Sequence, residues 1–461
     1  MAVDSVASDR TDTIVAVSTP SGRGGIGVLR LSGPRARVIG EALAGRALQP
    51  RRAHHCLFRD AEGEVLDDGI ALAFPAPASF TGEDVVELQG HGSPVVLQQI
   101  QRACLAAGAR LARPGEFSER AYLNDRIDLA QAEAIADLID AGSEAAAKGA
   151  LRSLQGAFSV QVRELMEAVT DLRVFVEAAM DFPDEDVDFL KDGVVANRLA
   201  ELRTRVGKVR AEAGQGVLLA DGITLVLAGP PNAGKSSLMN ALARRDTAIV
   251  TPVPGTTRDV LRERIDLDGL PVHLVDTAGL RTSTDLVEAE GVRRARLEIS
   301  RADFLLYLFD ASEPFTRPQS ADEITALIGA EPPRNVILVG NKMDLLRSPA
   351  NAFGQHAMFP LATISALTGE GVAELKDLLK ARAGFAAEQE STFTARARHL
   401  DALDRTSDSL DQAATTLVAA GSGDLLAEDL KIAHAHLGEI VGVMTADDLL
   451  GRIFSSFCIG K

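Results

Sequence analysis

Residues 229–237, "GPPNAGKSS", combine two glycines, a lysine and two serines at a spacing that suits polyphosphate. Gly229 and Gly234 let the backbone curl, so that the N–H groups of Asn232, Ala233 and Gly234 face phosphate oxygens. Lys235 reaches the β- and γ-phosphates, and Ser236, followed by Ser237, supplies a hydroxyl for Mg²⁺. The apolar run "ITLVLA" precedes the loop and a helical run follows it, adding a helix N-terminus to hold anions. Residues 275–280, "VDTAGL", end the next apolar run. Asp276 suits a water-bridged Mg²⁺, and the stretch Thr277, Ala278 and Gly279 brings a backbone N–H toward the γ-phosphate. Residues 340–344, "GNKMD", end another run. Asp344 offers two acceptors to the N1–H and 2-amino group of guanine, a donor pair that adenine lacks, and a site built for that pair rejects the other base. Asn341 and Lys342 flank the base, and the backbone of Ser365 and Ala366 in "ISAL" meets the guanine oxygen. Between the phosphate loop and "RERIDLDG" lies "TPVPGTTRD" (residues 251–259). It is expected to be the first switch, carrying Thr251, Thr256 and Thr257, with Thr257 closing on Mg²⁺ and the γ-phosphate. Four motifs in this order specify GTP over ATP.

One position breaks the pattern. Where many GTPases carry a glutamine that orients the attacking water, this chain has Leu280. An aliphatic side chain cannot do that, and an arginine finger is worth about 10³ to 10⁵ in rate. Hydrolysis must draw its polarising groups from elsewhere.

The elements that would hold these motifs fall into three regimes. Residues 1–118 alternate short β-like runs such as "TIVAVS" and "DVVELQG" with two helical stretches, an α+β pattern. From 119 to 220 the chain is rich in Ala, Leu and Glu, with apolar residues recurring at three and four. Residues 221–384 alternate buried-strand runs with helix-sized segments, the mark of a parallel α/β sheet. Residues 385–461 return to helix. The expected fold is therefore multidomain: an α+β domain (1–118), a helical domain built from two segments (119–220 and 385–461), and an inserted α/β domain with a phosphate loop (221–384).

Composition narrows the function. The chain has 461 residues, 46 % of them hydrophobic, room for about three cores. A net charge of −17 argues against a broad basic footprint for nucleic acid, and 4 % aromatics without Trp leaves few stacking platforms. No apolar run approaches the roughly 18 residues of a spanning helix, and the start carries no secretory pattern. Cys56, Cys104 and Cys458 are odd in number and form no Cys-x-x-Cys, so neither a disulfide frame nor a zinc ribbon is expected, and a reducing cytoplasm is. His54, His55 and His91 lack companions at metal-ligand spacing and read as structural. "GRGGIG" (22–27) enters a strand rather than opening a helix after one, so it is no dinucleotide fingerprint.

The phosphate loop, "GTTRD", "DTAGL", "NKMD", "SAL" and the terminal "FCIGK", together with "FTGEDVVELQGHG" and "ARPGEFSERAYLNDRIDLAQAEAIADLIDA", resemble the MnmE (TrmE) family of tRNA-modification GTPases over essentially the whole chain. The resemblance implies homodimers whose G domains pair around K⁺ held by Asn232, Thr251, Val253 and Thr256. It gives Glu288 the water-orienting role; on its own residues Glu288 reads as a solvated helix charge. It places a one-carbon tetrahydrofolate on Arg30, Glu87, Arg126 and Lys461, with arginine at 126 where the family usually has lysine. It implies a flavoprotein partner of the MnmG type, bringing FAD and NADH, and tRNA whose wobble uridine (U34) is modified at C5 to aminomethyl or carboxymethylaminomethyl uridine. A ribosome-assembly GTPase acting as an RNA-binding module is the competing reading, but no dedicated basic stretch supports it. In the tail, Leu449, Ile453 and Phe454 are expected to dock so that Cys458 lies by the one-carbon site, as nucleophile or acid–base group. A small buried hydrophobe is the equal alternative for that thiol.

Overall fold

A computed structural model describes residues 12–181, 193–243, 262–276, 298–313, 317–318, 320–328, 331–346, 358–386, 393–419, 422–443, 447–458 and 460. By its contacts the chain forms two compact units, Met1–Ala136 with Gly438–Lys461, and Asp137–Leu437.

The first unit is built on a six-stranded sheet. Its strands are β1 (Ile14–Val17), β2 (Gly24–Ser32), β3 (His54–Arg59), β4 (Val65–Phe74), β5 (Val85–Gly92) and β6 (Arg110–Leu111), in the order β3-β4-β5-β2-β1-β6. Every pairing is antiparallel except β1 with β6. Strand β3, "HHCLFR", alternates buried and exposed residue by residue, as a strand covered on one face must. Its inward Cys56 and Phe58 join Leu29, Leu31, Val86 and Leu88 beneath α1 (Ala36–Ala44) and α2 (Pro94–Ala106). Helix α3 (Glu116–Leu123) follows β6, and Phe117 fills a second small core with Ile14, Ala16 and Ala112. Helix α4 (Leu129–Asp140) comes next.

The second unit holds α5 (Glu144–Leu154), α6 (Ala157–Asp181) and α7 (Val194–Asp221), then another six-stranded sheet. Strands β7 (Ile223–Ala228), β8 (Arg262–Leu267), β9 (Leu270–Asp276), β10 (Phe304–Asp310), β11 (Asn335–Asn341) and β12 (Leu361–Thr363) lie in the order β12-β11-β10-β7-β9-β8. Only β8 runs antiparallel. Strand β10, "FLLYLFD", is buried through its first six residues, because a parallel sheet is covered on both faces. Helices α8 (Lys235–Ala243), α9 (Ala321–Ile328) and α10 (Val372–Ala383) belong to this α/β portion. The chain then returns through α11 (Ala397–Ala419), which packs along α7 and pairs Asp404 with Arg210 and Asp411 with Arg203. Two separated segments thus share one helical bundle, with the α/β fold inserted between them.

The last described elements are α12 (Gly423–Val441) and α13 (Asp447–Ser455). Residues 119–136 and 438–461, read from sequence as part of the helical domain, group by contacts with the N-terminal sheet. The reason is apolar burial. Ile453, Phe454 and Phe457 form one cluster with Leu129 and Ala132, flanked by Tyr122 and Ile127. The side chain of Leu449 lies outside the described residues.

Candidate functional site

In the second unit the described parts of the motifs meet at one edge of the sheet. Parallel strands β7, β9, β10 and β11 all end there, the usual ligand crevice of an α/β sheet. Asp276, at the end of β9, pairs with Leu227, one residue before the end of β7. After β7 the chain forms a tight loop in which Asn232 takes a left-handed conformation, φ 64°. Gly234, at φ 94°, has no room for a side chain, because a methyl there would strike the Asn341 amide. Helix α8 starts at Lys235, whose ammonium donates to the carbonyls of Gly229 (2.8 Å) and Pro230 (3.0 Å). Ser236 and Ser237 follow, both exposed.

Asn341 joins three motifs. Its Nδ2 donates to the Ala233 carbonyl at 2.8 Å, and its Oδ1 accepts from the Ala366 amide at 2.9 Å. It is 3 % exposed, so these bonds are shielded from water. Ser365 donates its hydroxyl to Asp344 Oδ1 at 2.6 Å, turning one face of that carboxylate. Lys342 sits at φ 69° and pairs with Asp310 at 2.6 Å. Burial acts to raise the Asp310 carboxyl, but the Lys342 ammonium and the Ser312 hydroxyl and amide outweigh it and hold it below its ordinary range. Asp310 was not singled out from sequence. Its signal was there, since "FLLYLFD" ends at the same sheet edge as the recognised motifs.

Thr251, Val253, Thr256, Thr257, Thr277, Ala278, Gly279, Leu280 and Glu288 lie outside the described residues, as does Lys461. The side chain of Asp276 does too.

In the first unit, Arg30 and Glu87 face each other across β2 and β5. Arg30 donates twice to Glu87 Oε1, at 2.8 and 3.1 Å. Its guanidinium lies 5.6 Å from the Phe80 ring centroid and 5.8 Å from that of Phe117, a cation held between two aromatic rings. Arg126 enters by the same loop, its stem lying against Gly82. That loop is fixed from below. Ser32 bonds Thr81 (2.6 Å) and donates to Glu83 (2.7 Å), Arg120 pairs with Glu83 (3.1 Å), and Asn124 donates to the Thr81 carbonyl (2.7 Å). Phe80 and Phe117 were not identified from sequence, because nothing local tells which aromatic ring a cation will meet.

At the start of α3, Glu116 is fully buried. Burial pulls its carboxyl up, but bonds from Arg110 and the Arg113 amide, with the charges of Arg110 and Arg120, bring it down to about 2.

The histidines are held as structure. His91 Nδ1 lies 2.8 Å from Asp67, His55 Nε2 lies 2.7 Å from Asp68, and His54 Nε2 accepts from the Gln49 amide at 2.8 Å. Among the described residues no His, Cys, Asp and Glu cluster suits a metal ion. Cys56 and Cys104 are buried, and burial pushes the Cys104 thiol to about 12; Cys458 is exposed. Among the described residues no helix is long and apolar enough to cross a membrane.

Two family models match this chain, the MnmE helical domain over residues 129–458 and the GTP-binding protein TrmE N-terminus over residues 13–126. The tRNA modification GTPase MnmE of Pseudomonas syringae pv. syringae is 55 % identical over 457 residues, 98 % of this chain and 99 % of that one. The protein of the same name from Chromohalobacter salexigens is 55 % identical over 453 residues, 98 % of each chain. Similarity at this level along the whole length, including both flanks of the α/β insertion, leaves one conclusion: the chain belongs to the MnmE family of tRNA modification GTPases.

Proposed function

We propose that this GTP hydrolase couples hydrolysis in the α/β portion (221–384) to one-carbon chemistry on tRNA at the N-terminal sheet. Asn341 is the observation that carries the first half. By bonding Ala233 of the phosphate loop and Ala366 of the last motif, it ties base recognition to phosphate recognition in one rigid network. Asp344, oriented by Ser365, reads the guanine edge. Lys235 neutralises the phosphates once they displace the Gly229 and Pro230 carbonyls from its ammonium. The exposed Ser236 hydroxyl, with Thr257, suits Mg²⁺. Asn232, in its left-handed turn with an exposed side chain, suits K⁺ together with Thr251, Val253 and Thr256 of the switch. K⁺ supplies positive charge at the transferring phosphoryl group, the place that an arginine finger takes elsewhere. Glu288 orients the water in place of the missing glutamine.

The N-terminal sheet suits a tetrahydrofolate. Arg30 and Arg126 offer cationic groups to its carboxylates, Glu87 accepts from pterin nitrogens, and the Phe80 ring gives a flat face beside them. Lys461 adds a further cation. The folate, when bound, supplies a carbon for C5 of the wobble uridine. Cys458 is the chain's nucleophile or acid–base group there. The chain acts as a homodimer in the cytoplasm, and a flavoprotein of the MnmG type provides FAD and NADH. The deciding experiment assays the purified chain for GTP hydrolysis in K⁺ and in Na⁺, and for tRNA modification with and without the flavoprotein. Equal hydrolysis in both salts, or modification without the flavoprotein, would defeat this reading.

A further inference from the structure

The chain's C-terminal segment is pinned within the first unit at three backbone points. Tyr122 Oη donates to the Gly442 carbonyl at 2.6 Å, just before α13. The Gly115 amide donates to the Cys458 carbonyl at 3.4 Å. Ser18 Oγ donates to the Gly460 carbonyl at 3.1 Å. Between the first and second points, Ile453, Phe454 and Phe457 are buried, so the tail approaches with its direction set by apolar packing.

Gly115 sits at its contact with no room for a side chain. It precedes α3 in the left-handed region, at φ 66°. A methyl group on it would run into the Phe454 carbonyl and lie 3.1 Å from Phe457 Cβ. Side chains rarely adopt that conformation, and here there is no space for one. The same residue is close to the candidate one-carbon site. Phe117, two residues on, carries the ring beside the Arg30 guanidinium. The Ser18 anchor converges there as well: it follows Val17, whose strand neighbour Ala16 is registered opposite Arg30. The Gly115 and Ser18 points therefore lie on two different segments, each of which carries a residue beside or opposite Arg30.

We propose that Gly115 is a positioning residue for tRNA modification: its bare backbone is the seat that holds the Cys458 carbonyl, and thereby the thiol, at the Arg30–Glu87 site. This rests on the reading of that site as the one-carbon site. Cys458 does not reach its place through its own packing, since it is exposed while Phe454 and Phe457 are not. Its location is set by the seat beneath its main chain. The chemistry of the thiol and the geometry of the seat are separate properties, and they can be separated experimentally.

The test compares full-length Gly115→Ala with Gly45→Ala. Gly45 has nearly the same conformation, φ 64°, but open space around it, so its variant carries the backbone strain without the collision. Hydrogen–deuterium exchange of the peptide covering residues 447–458 should quicken about 10-fold in Gly115→Ala and stay unchanged in Gly45→Ala. The modification kcat should fall about 10- to 100-fold in Gly115→Ala, with KM for tRNA and the GTPase rate unchanged, because a small misplacement of a reacting group is costly. Ser18→Ala, which leaves α3 untouched, should move exchange and kcat in the same direction by less. Unchanged tail exchange in Gly115→Ala, or a freed tail with full modification, would overturn the proposal. So would equal loss in Gly45→Ala, which would make strain the cause. Cys458→Ser judges the underlying reading by itself: an inactive Ser variant beside a Gly115→Ala variant with an undisturbed tail means the seat is wrong and the thiol reading stands.

Discussion

The Lys342 ammonium lies 2.6 Å from the Asp310 carboxylate, so the base-recognition loop is anchored to the end of the neighbouring strand. Lys342 holds a left-handed backbone that a lysine does not favour. The pair is partly shielded, at 31 % and 15 % side-chain exposure, and Asp310 also accepts from the Ser312 hydroxyl at 2.6 Å. Asp310→Asn keeps the shape and removes the charge. GDP and GTP affinity should then fall about 10-fold, in line with about 1.5 kcal/mol, the low end for a hydrogen bond to a charged group, while kcat at saturating GTP stays level. Titration with a fluorescent guanine nucleotide checks this. Unchanged affinity would show that the loop holds Lys342 without help.

Glu116 makes the first unit sensitive to acid. Its folded carboxyl is depressed to about 2 from an ordinary value of 4.5. A depressed carboxylate contributes stability above its unfolded value and loses it as pH falls through the folded one. Stability of this unit should therefore decline between about pH 4.5 and 2. Glu116→Gln should destabilise the protein at neutral pH by about 3–5 kcal/mol, since it leaves Arg110 and Arg120 short of a partner. The gap from wild type should close toward pH 2. Urea unfolding followed by circular dichroism suits a chain without tryptophan, and a gap of constant size across that range would contradict the assignment.

Much of the GTP site is legible in the sequence because its chemistry is contiguous. Phosphate-loop residues 232–237 are neighbours in the chain, and the sheet merely delivers them to one edge. Asp310 escaped notice since its role depends on Lys342, 32 residues away. Arg30 and Glu87 are visible as single residues, yet only strand register makes them a pair, and only tertiary packing adds Phe80 and Phe117. The helical regime at 119–136 and 438–461 was readable as helix. Which core those helices join was not, because an amphipathic face does not name its partner. Gly115 reads as an ordinary turn residue until the Phe454 carbonyl is placed against it.

Asn232→Ala should erase the difference between hydrolysis in K⁺ and in Na⁺. Its side chain is exposed, and the Asn341 bond to this loop is made to the Ala233 backbone, so nucleotide binding should be nearly intact. Steady-state rates in the two salts, with nucleotide affinity measured alongside, decide it. A persistent K⁺ preference in the variant would assign the ion to other groups.

Glu288→Ala should lower kcat for GTP by at least about 10-fold with little change in GTP affinity, at the low side of general-base contributions. Leu280 at the usual glutamine position is the motive, since it cannot hold a water. Full activity in the variant would return Glu288 to a solvated helix charge.

Cys458 is exposed at the end of a docked tail, while Cys56 and Cys104 are buried in the sheet core. This weakens the alternative in which the thiol is a small buried hydrophobe. Two variants separate the remaining possibilities. Cys458→Ser keeps the Gly115 and Ser18 bonds, both of which involve main-chain carbonyls of the tail. Removal of residues 458–461 deletes both. GTP hydrolysis should be unaffected in each, because no step of it needs the tail. If the thiol reacts, both variants should lose tRNA modification by at least about 100-fold, since a serine hydroxyl is a far weaker nucleophile near neutral pH. A serine variant that modifies tRNA at the wild-type rate while the truncation does not would make the tail a binding element and the sulfur incidental. Mass spectrometry of the modified wobble nucleoside reads both outcomes directly, and iodoacetamide offers a parallel check on the wild type. Alkylation should reach Cys458 first, because burial holds the Cys104 thiol at about 12 and raises that of Cys56, and loss of modification should track labelling of that one residue.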